Sequence, residues 1–289
     1  MMAQQMIVEK SVINMFKMTK ELKLFIKKIV DLQIQEIFGI ENAKGNLITF
    51  VDSDDELENV DLYAKIIYNM KRDLVDIACF GYKKINDNNE IIEKINVDND
   101  RFLIQNQKFS LLYQGAFYTF ACVMWNKIFK KEIFENIRFP SKKINEDEYI
   151  MHELFFMAHK IGLYSDEVYY LYKQRENSIT KRYNKKRLDG IVALKKRIEF
   201  IIKNNLPNEF YQQTVNLLLY NIIQHYRSIE IYYSGKDKIR IQNDLNKEFK
   251  TYYESLKLKD IRIQNKIKFI MFRINPNFTT KVLNVFFKI

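Results

Sequence analysis

The stretch Leu47–Val51 (LITFV), which runs directly into Asp52–Asp55 (DSDD), decides the fold class. Five apolar or β-branched residues in succession predict a short buried strand. Because α/β folds bind ligands at the carboxyl ends of such strands, a strand that ends in acidic residues predicts a ligand site. The carboxylates could hold Mg²⁺ or Mn²⁺, which prefer oxygen ligands. The alternative is a helix N-cap, for which Ser and Asp are favoured.

Helical and strand patterns alternate after this stretch, which predicts an α/β domain. The first predicted helix has Leu62, Ile66, Ile67 and Met70 on one face. A buried strand over Val75–Tyr82 and a hairpin over Lys83–Lys94 are predicted to follow it. Further along the chain we expect a helix over Asp147–Ile161 and a strand over Glu167–Tyr172. From about Lys185 the pattern is helical. Helices are expected on both sides of a break at Asn204–Asn208, with a turn at Ser234–Asp237.

Composition excludes several classes of protein. Hydrophobic residues make up 47% of the 289 residues, which excludes a disordered chain. Two cysteines exclude a disulfide framework and a four-thiolate zinc site. The longest uncharged run, Phe109–Asn126, contains several polar residues. We interpret it as buried core with some site lining and not as a membrane span, so we expect a cytoplasmic protein.

The excess of positive charge has two interpretations. Lys and Arg number 47 against 36 Asp and Glu, a formal charge of +11. Nucleic acid, an anionic membrane and a phosphate-bearing substrate all attract a basic protein. The excess charge is equally consistent with a lysine-rich, solvated surface that binds no anionic partner. No nucleic-acid-binding motif accompanies the charge, so we expect no nucleic acid partner.

Two further segments carry polar residues in patterns that could serve chemistry. Asn145–Glu148 (NEDE) precedes a predicted helix, where a carboxylate could act as a general base or simply cap the helix. Tyr170–Thr180 contains Arg175, which with Lys181 could bind phosphate oxygens, or the segment could be a surface loop.

The order of these segments resembles the family 2 glycosyltransferases of the GT-A fold, particularly bacterial enzymes that build capsule, cell-wall or lipid-linked polysaccharides. After the DSDD strand come Trp125-Asn126-Lys127, an Arg-Phe-Pro, the Glu146-Asp147 pair and a Tyr-x-Tyr followed by Arg-x-x-Ser-Ile-Thr. The resemblance covers roughly Gly39 to Arg182. It implies an α/β nucleotide-sugar domain, a nucleotide-diphosphate-sugar donor, a bound Mg²⁺ or Mn²⁺ and a glycan or lipid-linked acceptor.

The resemblance also implies roles for particular residues. The metal and the donor diphosphate would lie at Asp52, Asp54 and Asp55. Asp147 would be the general base. The remaining assignments place Arg175 and Ser178 on the donor, and Trp125, Asn126, Lys127 and Glu146 on the acceptor side.

The first residues depart from the family pattern. Gly39–Gly45 matches a family segment, but the residues before it do not. A one-base shift in the reading frame of Met1–Met6 permits Asp-Asp-Gly-Ser-Thr-Asp, which the family has near its start, and the same shift recovers a second family segment from Met18 to Ile37. We therefore expect residues 1–38 to be an out-of-frame reading, with the first βαβ unit absent and sugar transfer impaired. Leu22, Phe25, Ile26 and Ile29 could form a covering helix.

The last residues predict two basic amphipathic helices. Ile263, Ile267, Ile270, Met271 and Ile274 form one apolar stripe, and a second follows Pro276. Such helices could lie on an anionic membrane surface, so that residues 263–289 would contact the inner face of the plasma membrane, or they could pack on the core of the protein.

The sequence therefore predicts three segments: residues 1–38, a GT-A-like domain over 39–184 and a helical region over 185–289. The predicted function is metal-dependent sugar transfer. The rival from another class is a non-catalytic, basic remnant that is membrane-peripheral or oligomerising.

Overall fold

A computed structural model describes residues 38–52, 54–59, 61–165, 170–174 and 183–286. The predicted N-terminal helix and the donor-side residues Arg175 and Ser178 lie outside these residues. The chain divides into two compact units, Met1–Lys181 and Arg182–Ile289, where the sequence led us to expect a boundary at 184/185. Each unit is described by itself.

A five-stranded mixed sheet forms the centre of the first unit. Its strands are β1 (Leu47–Thr49), β3 (Ile77–Phe80), β6 (Arg101–Ile104), β7 (Lys127–Lys130) and β8 (Lys160–Tyr164), in the order β1-β7-β3-β8-β6. β3 and β8 run parallel, and the other pairs are antiparallel. All four residues of β3 are buried, as expected for a strand covered on both faces.

A second, four-stranded sheet adjoins the site described below. It consists of β2 (Glu56–Leu57), β4 (Tyr82–Ile85), β5 (Ile91–Ile95) and β9 (Tyr170–Lys173), in the order β2-β9-β4-β5. β4 and β5 form the predicted hairpin. The predicted buried strand over Val75–Tyr82 is divided, because β3 ends at Phe80 and β4 begins in the second sheet.

The helices of the first unit include α1 (Leu62–Asp73), α2 (Gln107–Ser110), α3 (Tyr118–Cys122) and α4 (Glu146–Met157). α1 is the helix predicted from its apolar spacing. α2, α3 and two 3₁₀ turns occupy most of the uncharged run, which lies largely in the core. Within the described residues, no helix has both the length and the hydropathy that crossing a bilayer requires.

The prediction that one helix extends from Asp147 to Ile161 was wrong at its end. α4 stops at Met157, and Lys160–Tyr164 form β8 instead. Asp76 accepts hydrogen bonds from the backbone N–H groups of His159 and Lys160 at 2.6 and 3.3 Å, which turns the chain into the sheet. Pairing with β3 and β6 on both sides then outweighs the local helical pattern.

The second unit is helical, as predicted. It contains α5 (Asp189–Lys203), α6 (Asn208–Tyr232), α7 (Gly235–Tyr253), α8 (Ile263–Ile274) and α9 (Pro276–Phe286) around one apolar core. α8 packs on that core through Phe269 and Phe272, which are fully buried. The predicted isoleucine stripe of α8 lies on the other side of the helix, with Ile263 and Ile274 67% and 79% exposed.

Candidate active site

The acidic segment follows β1, and aromatic packing fixes its start. The Phe50 ring lies 5.7–6.1 Å from those of Phe129, Phe134 and Phe139, in edge-on or tilted geometry. The Thr49 hydroxyl donates a hydrogen bond of 2.9 Å to the Lys127 carbonyl of the neighbouring strand. These contacts hold the end of β1 in place, so the acidic residues that follow it begin from a fixed position.

Asp55 is the most deeply buried carboxylate of this segment. Its Oδ2 accepts a hydrogen bond of 2.8 Å from the Tyr170 hydroxyl, and its Oδ1 accepts one of 2.9 Å from the Lys173 backbone N–H. The same Tyr170 oxygen accepts the backbone N–H of Asp52 at 3.0 Å. Burial raises the pKa of Asp55 to about 7, because the hydrogen bonds only partly offset desolvation. Asp55 therefore joins the acidic segment to β9.

Asp52 and Asp54 are more accessible than Asp55. Asp52 is half-buried, and Asp54 is exposed. Desolvation, followed by the negative charges of Asp54 and Glu146, raises the pKa of Asp52 to about 6. Glu146, in the first turn of α4, lies close enough to Asp52 for its charge to act on that carboxyl.

Asp147 lies beside Glu146 in that same turn. Its Oδ2 accepts a hydrogen bond of 3.2 Å from the backbone N–H of Met124. Burial, then the charges of Glu146 and Asp52, raise the pKa of Asp147 well above its usual range, while the charge of Lys127 acts in the opposite direction. A carboxylate at a helix N-terminus is favoured by the helix dipole, and a raised pKa brings it closer to that of a working base.

The two acidic clusters therefore form one site. The two clusters lie about ninety residues apart in the chain, yet Glu146 acts on the pKa of Asp52, and Asp52 acts on the pKa of Asp147. Like charges gathered in a partly buried place destabilise the fold, so such clusters are typical of functional sites and of sites that bind a cation.

A buried aromatic cluster supports this site. The Trp125 ring stacks on both Tyr170 and Tyr172, with centroids at 4.6 and 5.5 Å and interplanar angles of 16° and 9°. Tyr82 meets the same indole edge-on at 4.8 Å. Trp125 is only 6% exposed, so most of its indole is covered by this packing.

Asn126 and Lys127, which we expected on the acceptor side, are fully buried. The Lys127 ammonium donates to the Phe120 and Val123 carbonyls at 2.6 Å each and to Asn126 Oδ1 at 2.7 Å. The Asn126 amide donates to the Phe120 carbonyl at 3.2 Å. These contacts all lie within residues 120–127, and they hold both side chains inside the fold.

The carboxylates fit a divalent cation in part. Among the described residues, no three His, Cys, Asp or Glu side chains form a cluster suited to a metal ion. Asp52 and Asp54 could offer carboxylate oxygens to a cation, which would relieve the repulsion that Asp54 exerts on Asp52. Mg²⁺ and Mn²⁺ at phosphate sites commonly use only one or two protein carboxylates, so this pair fits. Asp55 fits poorly, because both of its oxygens already accept hydrogen bonds.

Sequence reasoning missed the structural role of three groups. The Tyr170 hydroxyl, the Met124 backbone N–H and the buried Glu148, which accepts from the Tyr118 hydroxyl and the Cys122 thiol, hold the site together. The Tyr-x-Tyr spacing was a usable signal, because alternate residues of a strand share one face. The Met124 contact has no sequence signal, since it uses the backbone.

Comparison with known families finds a match to part of the first unit. The family model described as "Glycosyl transferase family 2" matches residues 32–138, a range that contains the acidic segment and Trp125–Lys127. This part of the chain is therefore similar to the family 2 glycosyltransferases, and the curated relatives that match the chain are also glycosyltransferases.

The curated relatives are longer than the matching part of this chain. Glycosyltransferase GlyA of Streptococcus pneumoniae is 27% identical over 197 residues, which cover 63% of this chain and 27% of that protein. Putative glycosyltransferase EpsH of Bacillus subtilis is 24% identical over 182 residues, which cover 61% of this chain and 51% of EpsH. The chain thus spans about a quarter to a half of these relatives.

A solved structure shares the fold. S. aureus TarS residues 1–349, crystallised in complex with UDP-GlcNAc, superposes with a TM-score of 0.60 at 14% identity, covering 84% of this chain and 68% of that one. The GT-A type of α/β fold expected from the sequence is therefore confirmed.

Proposed function

We propose that this chain transfers a sugar from a nucleotide-diphosphate donor to a hydroxyl of a glycan or lipid-linked acceptor. The observation that carries the proposal is that Asp52, which neighbours Asp54, lies close enough to Asp147 for its charge to raise the pKa of Asp147. The match of residues 32–138 to the family 2 model supports the reaction class, and a structure of the same fold crystallised with UDP-GlcNAc supports a nucleotide-sugar donor.

Asp147 is the proposed general base. The acceptor hydroxyl gives its proton to the Asp147 carboxylate while its oxygen forms a bond to the anomeric carbon. The bond from that carbon to the diphosphate oxygen breaks, and the nucleoside diphosphate leaves with the electron pair. The Met124 N–H fixes Oδ2 of Asp147, so the proposed proton acceptor keeps one orientation.

Asp52 and Asp54 are the proposed donor-side carboxylates, with Asp55 holding their segment against β9. A Mg²⁺ or Mn²⁺ on this pair would neutralise charge on the diphosphate. Arg175 and Ser178, outside the described residues, remain proposed donor contacts. Trp125 and Glu146 remain proposed for the acceptor side.

The experiment that tests the function is release of nucleoside diphosphate from a panel of nucleotide sugars, with Mn²⁺ and with a hydroxyl acceptor. We expect turnover with at least one donor and its loss in Asp54→Asn. Binding of nucleoside diphosphate without turnover of any donor would instead favour the non-catalytic alternative.

We further propose that α8 and α9 contact an anionic membrane, such as the inner face of the plasma membrane. The supporting observation is the exposed isoleucine stripe of α8, opposite the buried Phe269 and Phe272. Residues 263–286 include four basic side chains and no Asp or Glu. The buried Arg227 bonds Asn284 Oδ1 at 2.9 Å and the Leu283 carbonyl at 3.2 Å, which fixes α9 on α6. An anchored basic helix with an exposed apolar face suits anionic lipid.

A further inference from the structure

Lys127 sits fully buried at the first position of β7, directly after the loop that contacts Asp147. An ammonium group has three N–H donors and no acceptor. The three oxygens around it, the carbonyls of Phe120 and Val123 and Oδ1 of Asn126, satisfy all three donors at 2.6–2.7 Å. Burial lowers the pKa of Lys127, but the three acceptors favour the charged form, because a neutral amine would turn a lone pair toward one of these oxygens.

The loop that Lys127 binds is the one that carries the Met124 N–H. Two of the three acceptors, Phe120 and Val123, belong to the end of α3 and the residue after it. The third, Asn126, itself donates to the Phe120 carbonyl. Met124 lies between these anchored residues, and its N–H points at the Asp147 carboxylate. One buried cation therefore binds the backbone before Met124 and the Asn126 side chain after it, on either side of the only contact that the structure shows for Oδ2 of Asp147 within the described residues.

We propose that Lys127 is a positioning residue, whose buried ammonium clamps residues 120–126 so that the Met124 N–H holds the Asp147 carboxylate in its working orientation. This inference rests on the proposed function of Asp147. It replaces the expected acceptor contact of Lys127 with an indirect role, since the fully buried ammonium is enclosed by its own loop.

Lys108 offers a matched control in the same unit. It is also buried, and its ammonium donates to the backbone carbonyls of Phe156 and Ala158, at the far end of α4 from Asp147. Removing either lysine charge leaves carbonyls without a buried donor, so both changes destabilise the fold. Only the Lys127 change releases the Met124 loop.

The test compares Lys127→Met with Lys108→Met by two readouts, hydrogen exchange of the 120–126 backbone and steady-state kinetics with a nucleotide sugar. For Lys127→Met we expect exchange in 120–126 to become about tenfold faster. We also expect kcat to fall about a hundredfold with donor KM unchanged, because a displaced base costs rate rather than donor binding. For Lys108→Met we expect neither change. If Lys127→Met does not fold, Asn126→Ala takes its place, because it removes one acceptor and one donor of the clamp. The same changes in exchange and in kcat are then expected.

The two readouts separate the failure of this inference from failure of the proposed function. Unchanged exchange in 120–126, or unchanged kcat beside an active wild type, would overturn the clamp. Faster exchange confined to 120–126 in a protein whose wild type turns over no donor would support the clamp and contradict the function proposed for Asp147.

Discussion

The backbone N–H of Met124 donates a 3.2 Å hydrogen bond to the carboxylate of Asp147, which joins the loop before β7 to the first turn of α4. This contact gives the proposed base one fixed oxygen, and it leaves Oδ1 as the atom to receive a proton. Because the donor is a backbone group, substitution of Met124 itself keeps the contact, and the loop conformation decides whether it forms.

Stability should depend on pH through Asp52. Its pKa is about 6 in the folded chain and about 3.9 in an unfolded one, so the folded state binds the proton more tightly. The contribution of this group to the free energy of unfolding is therefore greatest below about pH 4 and is lost as pH rises to about 6. Asp52→Asn should remove about 1–3 kcal/mol of that decrease, measured by urea unfolding at several pH values.

The matched control for this measurement is Asp98→Asn, at an exposed position in the same unit. It should leave the pH dependence of the free energy of unfolding as it is in the wild type. If the free energy of unfolding of Asp52→Asn kept the pH dependence of the wild type, Asp52 would not be desolvated beside other negative charges.

The metal assignment predicts a stabilising effect of ligand. Mn²⁺ together with a nucleoside diphosphate should raise the melting temperature, by the equivalent of about 2.7 kcal/mol at a hundred times the dissociation constant. Asp54→Asn should abolish the shift, and Asp98→Asn should retain it. The melting temperatures are measured by differential scanning fluorimetry. A melting-temperature shift in Asp54→Asn as large as in the wild type would show that Asp54 does not bind the metal.

The hydrogen bond between Tyr170 and Asp55 should matter for stability. Tyr170→Phe keeps the ring that stacks on Trp125 but leaves a buried carboxylate with one partner fewer, so it should cost about 1–3 kcal/mol. Tyr172→Phe, which alters the neighbouring ring of the same stack, should cost less. Urea unfolding followed by fluorescence of Trp125, the one tryptophan of the chain, measures both, and an equal cost would contradict a special role for the Tyr170 hydroxyl.

Membrane contact can be tested on the α8 stripe. Ile267 and Ile270 are 52% and 42% exposed, so Ile267→Glu with Ile270→Glu should fold normally yet reduce co-sedimentation with anionic liposomes at low salt. Ile239→Glu, at a comparably exposed position of α7, controls for added charge. Equal binding by the double variant and the control would mean that the stripe does not meet lipid, and loss of self-association in its place would point to a second copy.

The sequence indicated the elements of the site better than their arrangement. The apolar run before Asp52 and the acidic start of α4 are local patterns, and both were found. That Asp55 turns away to Tyr170 and Lys173 was missed, because its partners lie more than a hundred residues along the chain. The expectation that residues 1–38 are read out of frame concerns a segment outside the described residues and stays a prediction.

The helical unit shows why periodicity alone misleads. The isoleucines of α8 recur at the spacing of a core-facing stripe, yet the core is filled from the other side by Phe269 and Phe272. Those rings pack with Phe249 at 6.1 and 4.6 Å, and such ring pairs favour the phenylalanine face. A helix with two apolar faces gives no local signal that decides which face is buried.

The most direct test of the whole account is the turnover of a nucleotide sugar by Asp147→Asn beside the wild type and Asp98→Asn. We expect kcat for release of nucleoside diphosphate to fall by about 10²–10⁴ in Asp147→Asn, with donor affinity unchanged, because a general base contributes to rate and not to donor binding. Asp98→Asn should match the wild type. Turnover at the wild-type rate in Asp147→Asn would contradict the assignment of Asp147 as the base.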